Sequence, residues 1–127
     1  MADREVRFRA AFALVCFRAD AKPALAALIE KLKDPYNQVR GNAAWALGEI
    51  HAQPELTVPA LADSLRDPDA FVRARAAAAL ARFGADARPT VGALVVLLDD
   101  ADSQVKQSAS QSLRTIAPEA AAKAGLK

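Results

Sequence analysis

Apolar residues recur along this chain at helical spacing, and the whole pattern recurs every 33 residues. Val39, Ala43, Ala46, Leu47 and Ile50 stand at i, i+4, i+7, i+8 and i+11, one apolar stripe on a helix. Val58, Leu61, Ala62 and Leu65 form a second, shorter stripe. Shifting the chain by one block preserves both without a gap. Val6, Val39, Val72 and Val105 align, as do Ala10, Ala43, Ala76 and Ala109, and then Leu14, Leu47, Leu80 and Leu113. In the second half of each block Leu28, Leu61 and Leu94 align, followed by Leu32, Leu65 and Leu98. Self-similarity at a fixed period of this length is the mark of a helical-repeat architecture.

Each block therefore predicts two helices. The first, helix A, is predicted over 3–18, 35–50, 68–83 and 101–116, and the second, helix B, over 21–33, 54–66 and 87–99. Short connectors holding Pro or Gly, such as His51-Ala52-Gln53-Pro54, separate them. Asp34-Pro35 and Asp67-Pro68 read as an N-cap acceptor followed by proline at the first helical position, and Asp100 repeats the cap. Asp69 and Asp102 would then add negative charge to the first turn. Pro59 falls inside the second helix B and predicts a late start or a kink there.

The alanines in mid-stripe are expected to let helices A and B approach closely. A lone helix pair cannot offset a backbone entropy cost of about 1–2 kcal/mol per ordered residue. Stacked pairs share a core, so the blocks should fold together. The expected fold is all-α: a right-handed or gently curved α-solenoid of about three and a half antiparallel helix pairs. It forms one domain over 1–127, with repeats 1–33, 34–66, 67–99 and 100–127, and Met1 at the register of the capping Asp suggests a longer array or an atypical cap.

Composition supports this reading and narrows the chemistry. The 127 residues are 53% hydrophobic and 6% aromatic, and alanine, a strong helix former, fills about a quarter of them. Seventeen basic and fifteen acidic residues leave +2, too near balance for a general polyanion binder. One Cys and one His exclude a disulfide framework and a multi-histidine metal site. No export signal or membrane span is visible, which points to a cytoplasmic protein.

Val39-Arg40-Gly41-Asn42-Ala43-Ala44-Trp45-Ala46-Leu47-Gly48, with Asp34, Asp67 and Asp100 each six residues before Arg40, Arg73 and Lys106, resembles the HEAT repeat. The nearest subtype is the bacterial HEAT-like repeat also found in phycobilisome lyase subunits. The resemblance implies a scaffold or adaptor. It also implies that the repeating Asp and Arg form a hydrogen-bonded ladder, which puts Arg40, Arg73 and Lys106 in structural roles. In such solenoids helix B lines the concave side.

The helix-B positions expected to face outward for a partner protein are Ala24, Ala27, Glu30 and Lys31, then Thr57, Ala60, Asp63 and Ser64, then Thr90, Ala93, Val96 and Leu97. Val96 and Leu97 break the polar pattern and suggest an apolar contact, set against simple packing under the C-terminal segment. On helix A, Phe8, Phe12 and Val15 lie away from the main stripe, at the register of Gly41, Trp45 and Gly48. Phe8, Phe12, Val15 and Trp45 are expected to bury against an upstream repeat, a second copy or a partner, unless helix A tilts to cover the core's open end. The C-terminal segment, with polar Ser108, Ser110, Gln111 and Ser112, a short helix from Pro118 and a stop at Gly125, reads as a finished end.

Candidate chemistry is sparse. Ala52 follows His51, so no His-Glu iron set forms; Cys16 has no His in its block; Asp99-Asp100 sits at a helix junction where capping explains it. No phosphate loop, metal spacing or Ser-His-Asp set occurs. The expectation is a protein-binding scaffold, no enzyme, with no cofactor and no metal. Nucleic-acid binding and a chromophore-lyase-type subunit acting with a partner are the alternatives. The first is disfavoured because helix B offers only Lys22, Lys31, Lys33 and Arg66, interleaved with Glu30 and Asp63.

Overall fold

The computed structural model describes residues 21–126, and these contain no strand. The order is α1 (Ala21–Lys31), α2 (Asn37–Ile50), α3 (Pro54–Ser64), α4 (Ala70–Ala81), a 3-10 segment (Gly84–Thr90), α5 (Val91–Leu97), α6 (Ser103–Ile116) and α7 (Pro118–Lys123). Helices α2, α4 and α6 are the predicted A helices; α1, α3 and α5 are the B helices. The helix predicted over 3–18, with Phe8, Phe12, Val15 and Cys16, lies outside the described residues. None of the described helices is long and apolar enough to cross a membrane.

One continuous core runs through the stack. Leu28, Leu61 and Leu94 line it from the B helices, and Leu47, Leu80 and Leu113 from the A helices. Ala43, Ala76 and Ala109 are fully buried, as their register requires. The most extensive interfaces are A against A, α2 on α4 and α4 on α6, rather than the A-against-B approach expected of the alanines. Small side chains make this possible. A Cβ on Gly41 would overlap the Phe71 ring, and one on Gly48 would sit 2.8 Å from the Ala79 Cα. Ser112 of α6 donates to the Ala77 carbonyl of α4, so a buried hydroxyl is satisfied across the same interface.

The helix starts differ from expectation by two residues, for a reason that also explains the stack. Asp34, Asp67 and Asp100 are not N-caps. Each accepts the backbone N–H two residues on, from Tyr36, Asp69 and Asp102, at 2.9 Å. Pro35 and Pro68 therefore lie in a turn, and the helices open at Asn37, Ala70 and Ser103. Asp69 and Asp102 are the caps: Asp69 accepts from Phe71, and Asp102 from Gln104 and Val105. Helix α2 instead has Tyr36 at its N-cap, with no side-chain cap bond.

Asp67 and Asp100 each also receive an arginine from the preceding repeat. Arg40 Nε and Nη2 donate to Asp67 Oδ2 and Oδ1 at 2.8 and 3.1 Å, while Nη1 donates to the Asp34 carbonyl at 2.9 Å. One block on, Arg73 repeats the fork on Asp100 at 2.9 and 3.1 Å, with Nη1 on the Asp67 carbonyl at 2.8 Å. Asn37 adds a parallel link to Asp69 at 2.7 Å. Arg40 and Arg73 thus have the structural role that the resemblance implied. Lys106, at the same register, is exposed and forms no such fork among the described residues; a lysine cannot match the bidentate geometry.

The second helices are shorter than predicted. Helix α3 starts at Pro54 and runs unbroken through Pro59, so it does not start late. The third B helix differs most: its first turns are 3-10, and α-helix begins only at Val91. Gly84 takes the left-handed φ of 56° that ends α4 sharply, where the equivalent His51 is held at 35°.

Two outcomes follow. Gly48→Ala places a methyl against the Ala79 backbone and should lower stability by about 1–3 kcal/mol in chemical denaturation, whereas Gly92→Ala, in open space on α5, should raise it by about 0.5–1 kcal/mol. The rung gives a pH signature. Hydrogen bonds from Arg73 hold the Asp100 carboxyl below its ordinary range, so its stabilisation is complete above the unfolded value of about 3.9 and is lost as pH falls through the lower folded value. Asp100→Asn should cost about 1–3 kcal/mol at pH 7, and its difference from wild type in thermal melts should shrink below about pH 4.

Candidate protein-binding surface

The outer side of the B helices is set by the same periodicity that buries their inner side. Three rows of exposed residues run along the stack, each with one residue from every B helix or from the turn that closes it. They are Ala26, Pro59 and Gly92; Glu30, Asp63 and Val96; and Lys33, Arg66 and Asp99. Val96 is the most exposed large apolar side chain among the described residues at 71%, and Leu56, on α3, follows at 56%.

The expected outward set divides on this surface. Ala27, Glu30, Asp63 and Val96 are exposed, and Lys31 is half-buried. Thr57, Ser64, Thr90 and Leu97 are buried, as is Ala24, and Ala60 and Ala93 are half-buried. The reason is angular. Thr57, Leu61 and Ser64 stand at i, i+4 and i+7, and so do Thr90, Leu94 and Leu97, so these positions share a face with the most deeply buried leucines. Their hydroxyls are satisfied locally. Thr57 donates to the Ala52 carbonyl at 3.0 Å, Thr90 to Ala87 at 2.6 Å and Ser64 to Ala60 at 3.4 Å. Of the apolar pair, Leu97 belongs to the core and Val96 to the surface.

On the A helices, Gly41 and Gly48, off the main stripe of α2, face into its contact with α4. Trp45 is half-buried and packed against the core of its own chain. The outer A surface carries Phe71, with Arg75 stacked 5.1 Å from its ring centre.

Sequence periodicity missed a groove between α3 and the 3-10 segment. It encloses about 530 Å³, with Val58 and Thr90 at its base and Pro54, Pro59 and Pro89 as walls. Glu55 and Asp86 line its rim. A smaller hollow of about 270 Å³, lined by Ile29, Ala60 and Asp63 among others, separates α1 from α3. The signal for the larger groove was present in Gly84 and Pro89, which punctuate the connector of the third repeat, but their consequence for helix type was not legible. No group of His, Cys, Asp and Glu able to hold a metal ion occurs among the described residues.

The family model for HEAT repeats matches residues 1–81, more than half of the sequence. This chain belongs to the HEAT-repeat family. Two solved structures share its fold. One is an engineered protein, 26% identical, aligned over 98% of this chain and 64% of that one with a TM-score of 0.69. The other is the complex of CpcE and CpcF of phycocyanin lyase from Nostoc sp. PCC7120, 22% identical, aligned over 94% of this chain and 62% of that one with a TM-score of 0.64. The chain therefore spans less than two thirds of the length of either. No curated protein matches the sequence.

Within this HEAT-repeat stack the two neighbouring apolar residues of α5 should respond oppositely to charge. Leu97→Glu buries a carboxylate in the core and should cost more than about 3 kcal/mol. Val96→Glu should stay within about 0.5 kcal/mol of wild type. Paired melting curves measure both.

Proposed function

We propose that this HEAT-repeat chain is a non-catalytic scaffold that binds another protein through the outer side of its B helices. The observation that carries this reading is the exposure of two large apolar side chains, Leu56 on α3 and Val96 on α5, on a frame whose repeats are locked by the Arg40–Asp67 and Arg73–Asp100 forks. A rigid frame holds these side chains in place before the partner arrives, which lowers the ordering cost of association. Among the described residues no group of His, Cys, Asp and Glu able to hold a metal ion is present to point to a metal-dependent activity. Nucleic acid is disfavoured because Glu30, Asp63 and Asp99 interrupt Lys33 and Arg66 on the same face.

The likeness to the phycocyanin lyase complex favours a second reading, a chromophore-lyase-type subunit acting with a partner subunit. That reading requires chromophore attachment to an acceptor protein to depend on this chain.

The test takes a partner captured from cells, purifies it, and measures its affinity for this chain by calorimetry. The double variant Leu56→Glu/Val96→Glu should bind about tenfold or more weakly with an unchanged Tm. Affinity that is insensitive to these substitutions would sink the reading, and chromophore attachment that requires this chain would favour the second one.

A further inference from the structure

We infer that the groove between α3 and the 3-10 segment is a docking site for a short peptide segment of a partner that carries apolar side chains flanked by Lys or Arg. The inference rests on the scaffold reading above and names the chemistry of its partner.

The groove is rich in hydrogen-bond acceptors and has no cationic side chain in its lining. Its walls are Pro54, Pro59 and Pro89, none of which has a backbone N–H. Pro59 cannot donate to the carbonyl four residues back, so the Glu55 carbonyl is left without its helical donor. Pro89 sits in 3-10 geometry, where the missing donor is that of the Asp86 carbonyl three residues back. Each of these two residues also places a carboxylate on the rim. Neither carboxylate belongs to an ion pair among the described residues, and no cation lines the groove. The nearest cation in sequence, Arg88, is held by Glu119 of α7 at 2.8 Å.

The base is apolar: Val58 and Ala62, beside Thr90, whose hydroxyl is already spent on the Ala87 carbonyl. A volume of about 530 Å³ lies within the range of small-ligand and side-chain pockets. An apolar side chain fits the base, and ammonium or guanidinium groups, which only donate, fit the rim. An anionic ligand would meet two acidic residues, Glu55 and Asp86, and no cationic side chain. The prolines lose little freedom when a ligand orders them, which favours an extended segment laid along the walls.

The experiment is an NMR titration of the whole chain, labelled with nitrogen-15, with three capped hexapeptides: KRLLKR, KRSSKR and EDLLED. The first should give saturable shifts at the amides of Glu55, Val58, Ala62, Asp86 and Thr90. The serine and acidic peptides should leave these amides in place. Glu55→Gln/Asp86→Asn should weaken KRLLKR about fivefold at unchanged Tm, and raising the salt to about 0.5 M should weaken the wild type similarly. Overturning results are an absence of shifts at these amides, equal shifts with EDLLED, or equal affinity in the double variant. If those occur while the purified partner still loses affinity on Leu56→Glu/Val96→Glu, the groove assignment fails and the scaffold reading stands. If the partner also ignores those substitutions, both fall.

Discussion

The grip of an arginine on the aspartate that opens the next repeat is the constraint from which the rest of this structure follows. The guanidinium forks onto the carboxylate of the following block and its third nitrogen reaches the carbonyl that precedes its own helix. One side chain therefore ties three turns of backbone together. Because the carboxylate also accepts the N–H two residues on, the turn geometry and the inter-repeat contact are set by the same atoms. The forks are partly shielded from water, so their geometry matters more than their net energy. They fix how far one A helix is displaced from the next, and that distance is what Gly41 and Gly48 must be small enough to permit.

Much of this was legible in the residues. Gap-free recurrence of Val39, Leu47, Leu61 and their equivalents requires identical units that share a core, and among the described residues each of these side chains is buried as its register demands. What the pattern did not convey was which side of a helix a weakly apolar residue would choose. Thr57, Ser64 and Thr90 look like surface residues by polarity, yet each bonds a carbonyl three to five residues back and so tolerates burial beside a leucine. Asp34, Asp67 and Asp100 precede a helix and resemble caps, but a carboxylate has enough lone pairs to close a turn and take an arginine as well. In each case local composition was compatible with two hydrogen-bond partners, and only the neighbouring repeat decided between them.

The departures from the repeat are where candidate function lies. Strict repetition would make every B helix alike and every inter-helix hollow shallow. The third repeat instead opens its second half with Gly84 in the left-handed region and a 3-10 segment, so α5 begins four residues later in register than α3. A tighter coil beside a full α-helix cannot mesh with it, and the mismatch is the groove. Pro59, which strict helix economy would avoid, stands on the wall of that groove and does not interrupt α3.

Stability and the proposed recognition are thus divided between two faces. The A side spends its alanines, glycines and the buried Ser112 hydroxyl on close contact between helices, leaving little freedom there for change. The B side carries fewer constraints, since Glu30, Asp63 and Val96 share a row and are chemically unlike one another. A position that can hold an acid or a valine without consequence for the core can be tuned to a partner. Leu97, one residue from Val96, has no such latitude because it faces Leu94 and the core. The boundary between frame and recognition surface therefore runs along single helices, between adjacent residues, and is set by the rotation of about 100° that separates them.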